Sequence, residues 1–122
     1  MRRVVVTGMG MVTPLGCGVD HNWKLLIEGC SGAGHIKNFN AEKLKCKIAC
    51  EVPKEIDKPG AFVADEWIEK KEIKKIDEFI KFSLASSKEC FDNSKILEIN
   101  EDLSKRSGCI IGSGMGGLPG IE

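Results

Sequence analysis

Histidine, net charge and long apolar runs are all in short supply in this sequence, and each shortage removes a class of function. Its 18 Lys and Arg balance 18 Asp and Glu, so no global positive field grips nucleic acid or an anionic membrane. The longest apolar runs, such as Val4-Val5-Val6, fall far short of the roughly 20 residues that cross a bilayer. Arg2 and Arg3 bring positive charge to the N-terminus, but the valines after them are too few for the apolar region of a secretory signal. The sequence therefore predicts a cytoplasmic protein without a membrane span.

The two histidines, His21 and His35, lack the spacing of a zinc-finger pair, and no metal site is predicted. His21 follows Asp20 at a predicted helix start and His35 sits in a predicted loop, where exposed polar side chains are ordinary. Six cysteines stand at 17, 30, 46, 50, 90 and 109. Scattered in this way, with no export signal, they read as reduced thiols rather than a disulfide framework. No thiol and imidazole are placed by spacing as a nucleophile and its base, so no catalytic residue is assigned.

What is present is an alternation of strand and helix patterns. Arg3 to Gly8 reads as an interior strand because its valines are consecutive rather than alternating. Glycines and Pro14 follow, and Asp20 is expected to cap a helix through Trp23, Leu25, Leu26 and Ile27 to Gly29. A second strand is predicted over Cys46 to Val52, closed by Pro53, and Pro53 to Gly60 reads as exposed loop. Ile73, Ile76, Ile80, Leu84 and Phe91 recur at helical spacing, which predicts one long helix from Glu69 to Asn93. At about 100° per residue these positions fill an arc of about 80°. Lys70, Lys71, Lys74, Lys75 and Lys81 fall opposite, facing solvent. A polar connection leads to a third predicted strand, Ser107 to Ile111, and then to Gly112-Ser113-Gly114-Met115-Gly116-Gly117 and a further helix. The reading is an α/β chain with too few strands to close a layered sheet, incomplete at its C-terminal end.

Gly112 to Gly117 satisfies G-x-G-x-x-G, but the acidic residue that completes a dinucleotide fingerprint would lie past Glu122. A glycine turn for close packing or substrate lining is the better reading, and no cofactor is predicted. No phosphate loop ending in Gly-Lys-Ser or Gly-Lys-Thr occurs. Lys70, Lys71, Lys74 and Lys75 make a compact positive group, interspersed with Glu69, Glu72 and Glu78. A solvated helix face accounts for it, and so does a salt-sensitive grip on an acidic partner. Base recognition would want stacking aromatics, which this face lacks.

Taken together, Val4-Val5-Val6-Thr7-Gly8-Met9-Gly10-Met11-Val12-Thr13-Pro14-Leu15-Gly16, Trp23-Lys24, Gly29-Cys30-Ser31-Gly32 and Ile110-Ile111-Gly112-Ser113-Gly114-Met115-Gly116-Gly117-Leu118 resemble the N-terminal region of the condensing enzymes. Within them the β-ketoacyl-acyl carrier protein synthases of type II are the nearest match. The likeness extends through Lys70-Lys71-Glu72 to Asp77 and Phe79 and covers essentially the whole chain. It implies a thiolase-like layered fold, a homodimer, and decarboxylative elongation of acyl chains carried on acyl carrier protein, without metal or nucleotide.

In such enzymes the nucleophilic cysteine and two essential histidines lie later than any residue here. The resemblance therefore implies an N-terminal domain portion over residues 1–122 that is inactive alone. Two supporting roles carry over by position. Met115 matches a residue that lines the acyl pocket, and its bulk favours the type II branch. Lys70 to Lys75 match the surface that meets the acidic carrier protein. Ile73 and Pro119 depart from residues that are commonly polar and glycine. A non-catalytic carrier-binding or dimerisation module is a competing expectation, and a dinucleotide-binding fragment ranks behind both.

Overall fold

The computed structural model describes residues 1–96 and 100–117. These form two compact units. One is Met11–Val63, and the other joins Met1–Gly10 to the chain from Ala64 onward.

In the Met11–Val63 unit, β1 (Val12–Thr13) and β2 (Gly16–Cys17) form an antiparallel hairpin with Val12 opposite Cys17 and Thr13 opposite Gly16. The hairpin is strung on Asn22, a fully buried residue of α1 (Val19–Ile27). The Asn22 amide donates to the carbonyls of Gly16 at 2.9 Å and Gly18 at 2.7 Å, and its oxygen accepts from the Thr13 hydroxyl. Thr13 Oγ1 in turn accepts the Leu15 N–H at 3.0 Å. Every polar atom of the buried amide is thus paired, which burial demands.

α1 occupies the stretch expected of it, with one correction at its start. Gly18, not Asp20, is the N-cap, at φ 96°. That backbone suits glycine and disfavours a side chain, which leaves Asp20 in the first turn, where negative charge still favours the helix dipole. The helix ends as predicted at Gly29, whose φ of 72° allows Gly29 and Cys30 to donate back to Leu26 and Leu25. Next, β3 (Ala33–His35) pairs antiparallel with β4 (Ile48–Cys50), which occupies the centre of the predicted 46–52 strand. Phe62 is the buried apolar residue here, and its N–H donates to Pro53 O at 2.7 Å.

In the other unit the predicted long helix is two. α2 (Lys70–Ile73) is a single turn, and α3 (Glu78–Asn93) starts afresh after Asp77. Asp77 has φ −70° and ψ 161°, an extended conformation. Aspartate is disfavoured inside helices and favoured where one begins, so a pattern of apolar residues did not carry the helix through it. The break also undoes the single inner face. Ala85 is the fully buried residue of α3, while Leu84 and Phe91 are exposed. Lys81, expected in solvent, is only 15% exposed and pairs with Glu78 at 3.1 Å.

A fourth helix, α4 (Glu101–Arg106), was not anticipated within the polar connection. Asn100 caps it by accepting the Leu103 N–H at 2.8 Å, with acidic residues in the first turn and basic ones in the last. The predicted strands at Arg3–Gly8 and Ser107–Ile111 do not form among the described residues. Val4 is 93% and Ile110 100% exposed. Both runs have strand composition, but a strand exists only through a partner ladder, and none pairs with them here. Among the described residues the fold is a mixture of helices and two small antiparallel sheets, α/β in composition. The helix expected after Gly117 lies outside the described residues.

Candidate functional site

The sequence singles out a lysine cluster and a glycine loop, and the structure brings both to the beginning of α3. Lys70 and Lys71 lie in α2, Lys74 is its C-cap, and Lys75 continues the turn by donating its N–H to Glu72 O. Three of these lysines already have carboxylate partners. Lys70 reaches Asp65 at 3.4 Å, Lys71 Glu69 at 2.7 Å and Lys75 Glu72 at 3.1 Å. Lys74 pairs with no carboxylate among the described residues. The three pairs are solvent-exposed, so each contributes only about 0–1 kcal/mol and exchanges partners easily.

The loop Gly112–Gly117 presents Met115 at 80% exposure. Among the described residues, a side chain at either of its first glycines, Gly112 or Gly114, would meet nothing, whereas its last two lie against Phe79 and Asp77. A side chain at Gly116 would meet the Phe79 ring at 3.4 Å, and one at Gly117 would overlap the Asp77 carboxylate. The lysine turn ends at Asp77 and the Met115 loop lands on it. Sequence reasoning did not assign roles to Asp77 or Phe79. Asp77 before an apolar run is a helix-start signal that was available, but its contact with a residue forty positions later was not. The dinucleotide reading of this loop loses its context, because residues 107–111 form no strand leading into it.

The thiols and imidazoles are dispersed. None of the six cysteines is in a disulfide, with Cys17 and Cys90 half-buried and the others exposed. His21 is more than the exposed polar residue expected. Its ring packs on Gly16 and Gly60, and Nε2 lies 3.1 Å from Leu15 O, so that it fastens the hairpin turn. His35, expected in a loop, instead lies exposed in β3, where it pairs with Ile48. Among the described residues no three His, Cys, Asp or Glu side chains gather as a metal site, and no helix is long and apolar enough to cross a membrane.

Beside the β3–β4 hairpin lies an open cleft of about 580 Å³. Its charges satisfy one another. Glu55 takes Lys37 and Lys58 at 3.0 Å each, and Glu51 accepts the N–H groups of Lys37 and Asn38. Hydrogen bonds from Lys58 and then Lys37 lower the Glu55 carboxyl to about 2, and Glu55 raises Lys37 above its ordinary value. This is a surface clasp holding the 53–60 loop to the hairpin.

Residues 1–121 match the family described as Beta-ketoacyl synthase, N-terminal domain. Among curated relatives, the 3-oxoacyl-[acyl-carrier-protein] synthase 2 of Rhizobium meliloti is 41% identical over 121 residues, covering 99% of this chain and 29% of the relative. That of Vibrio harveyi is 43% identical over 121 residues, covering 99% and 27%. The mitochondrial protein of Schizosaccharomyces pombe named as a putative 3-oxoacyl-[acyl-carrier-protein] synthase is 34% identical over 119 residues, covering 97% and 28%. The chain thus spans less than a third of the length of these relatives. By the match that runs from its first residue to residue 121, the chain belongs to the β-ketoacyl synthase family.

Proposed function

We propose that this chain is the N-terminal part of a β-ketoacyl-acyl carrier protein synthase of type II, which elongates acyl chains by decarboxylative condensation with a malonyl-carrier thioester in the cytoplasm. The observation that carries the reading is the family match over residues 1–121, joined to relatives whose printed names specify an acyl-carrier-protein synthase. In this reading Lys70, Lys71, Lys74 and Lys75 face the acidic carrier protein and Met115 lines the acyl pocket. The residues form the opening portion of a thiolase-like layered domain that acts as a homodimer, and the reactive cysteine and its histidines belong to positions other than these 122.

The physical roles follow from the side chains. Exposed lysine pairs exchange their carboxylates at little cost, so an organised acidic surface can displace Asp65, Glu69 and Glu72, with Lys74, which has no carboxylate partner among the described residues, offering the first contact. An unbranched thioether side chain adapts to acyl chains of different length. Neither group performs chemistry, and the purified chain is expected to support no malonyl-dependent elongation. Elongation by the chain alone would overturn the assignment of the chemistry to other residues.

A second reading, a carrier-binding or dimerisation module without chemistry, draws on Lys74, without a carboxylate partner among the described residues, and on the exposed apolar row Trp23, Leu26 and Ile27 of α1. The two part company on whether elongation activity appears when the remainder of the enzyme is supplied.

A further inference from the structure

Among the described residues, the glycine loop meets α3 and its cap at its last two glycines. A side chain at Gly112 or Gly114 would find open space, while Gly116 lies over Phe79 and Gly117 lies directly against the carboxylate of Asp77. Met115 itself is almost wholly exposed. Among the described residues, its position is therefore set by the two glycines that follow it and by the α3 side chains beneath them.

Asp77 is unusual for a residue at a helix start. An aspartate there ordinarily turns its carboxylate to the free N–H groups of the first turn. Here it is the N-cap of α3 yet makes no side-chain cap hydrogen bond. Its carboxylate instead fills the space that a side chain at position 117 would need. The fit is mutual, since Gly117 cannot carry a Cβ while Asp77 keeps its rotamer. Asp77 also closes the turn that bears Lys74 and Lys75. A displacement of that turn moves the seat of the loop.

We infer that Asp77 is a positioning residue, which holds the Gly112–Gly117 loop and so fixes where Met115 is presented, and links that placement to the lysine turn. The value of this placement for acyl binding rests on the function proposed above. The seating of the loop does not.

The test uses the 122-residue chain labelled with ¹³C at its methionine methyl groups. There are four methionines, at 1, 9, 11 and 115. Met9 is an internal control for α3, because Asn93 Nδ2 donates to its carbonyl at 3.0 Å. In Asp77→Ala the Met115 methyl signal is expected to narrow, as its loop gains motion, while Met9 and Met11 keep their wild-type shifts and linewidths. Asp77→Asn, which keeps the shape, should restore the wild-type signal. Gly117→Ala, approached from the other side of the contact, should displace Met115 as Asp77→Ala does.

A Met115 signal unchanged in both Asp77→Ala and Gly117→Ala would overturn the inference. So would collapse of all the signals together in both variants, because it would make the pair a general element of stability. Adding acyl carrier protein to the same labelled sample separates the two claims. Absence of salt-sensitive binding would sink the carrier-facing role of the lysines, whatever Met115 does in the Asp77 variants.

Discussion

Gly10 runs against the backbone of α3 so closely that any Cβ at that position would overlap the carbonyl of Ser86. Gly8 meets Cys90 O one turn further along in the same way, and Asn93 Nδ2 closes the contact by donating to Met9 O at 3.0 Å. Two glycines and an asparagine thus lay the first ten residues along a helix some eighty positions away in sequence.

Gly10→Ala is therefore expected to destabilise the protein by about 1–3 kcal/mol, because a methyl group forced into a packed backbone contact must push the segment off the helix. Gly34→Ala is the control, since nothing lies near a side chain there. Denaturant midpoints of the two variants check the difference, and equal midpoints would contradict the contact.

Asn22→Ala removes the donors that satisfy Gly16 O and Gly18 O and the acceptor for Thr13, beneath a half-buried hairpin. The expected loss is about 1–3 kcal/mol, as for leaving buried polar groups unpaired. Amide hydrogen exchange should quicken at Leu15, whose N–H binds Thr13 Oγ1. Protection unchanged from wild type would argue against the amide as the organiser of this hairpin.

Glu55 supplies a pH-dependent prediction. Its carboxyl is lowered to about 2 in the folded chain from an ordinary value of 4.5, first by the hydrogen bond from Lys58 and then by that from Lys37. A carboxyl depressed by folding favours the folded state above its unfolded value, and that contribution disappears as the pH falls from 4.5 toward 2. Carboxyl ¹³C titration of Glu55 should give the low midpoint, with Lys58→Ala raising it more than Lys37→Ala. A midpoint near 4.5 in the intact chain would refute the clasp.

Much of the local structure was legible because local chemistry decides it. The α1 apolar residues, the Gly29 stop and Pro53 after β4 act on their neighbours, and the structure follows them. The break at Asp77 was missed because the spacing of isoleucines on both sides masked a residue that favours helix starts. α4 was missed because six polar-rich residues show no apolar periodicity, although Asn100 and the charge order around it carry a capping signal. Val4 to Val6 have a strand's composition, but composition cannot supply a hydrogen-bonding partner. At the proposed site, Met115 and the lysines were singled out by their motif, whereas the contact between Gly117 and Asp77 depends on tertiary packing that no spacing encodes.

In the function proposed above, the lysine turn of this chain faces an acidic carrier protein. Titrating labelled acyl carrier protein into the chain and its Lys74→Glu variant over a range of salt tests this. Binding is expected to weaken steadily as salt rises and to be about fivefold weaker for the variant, which corresponds to about 1 kcal/mol. Binding that ignores both salt and Lys74→Glu, or no binding at low salt, would contradict it.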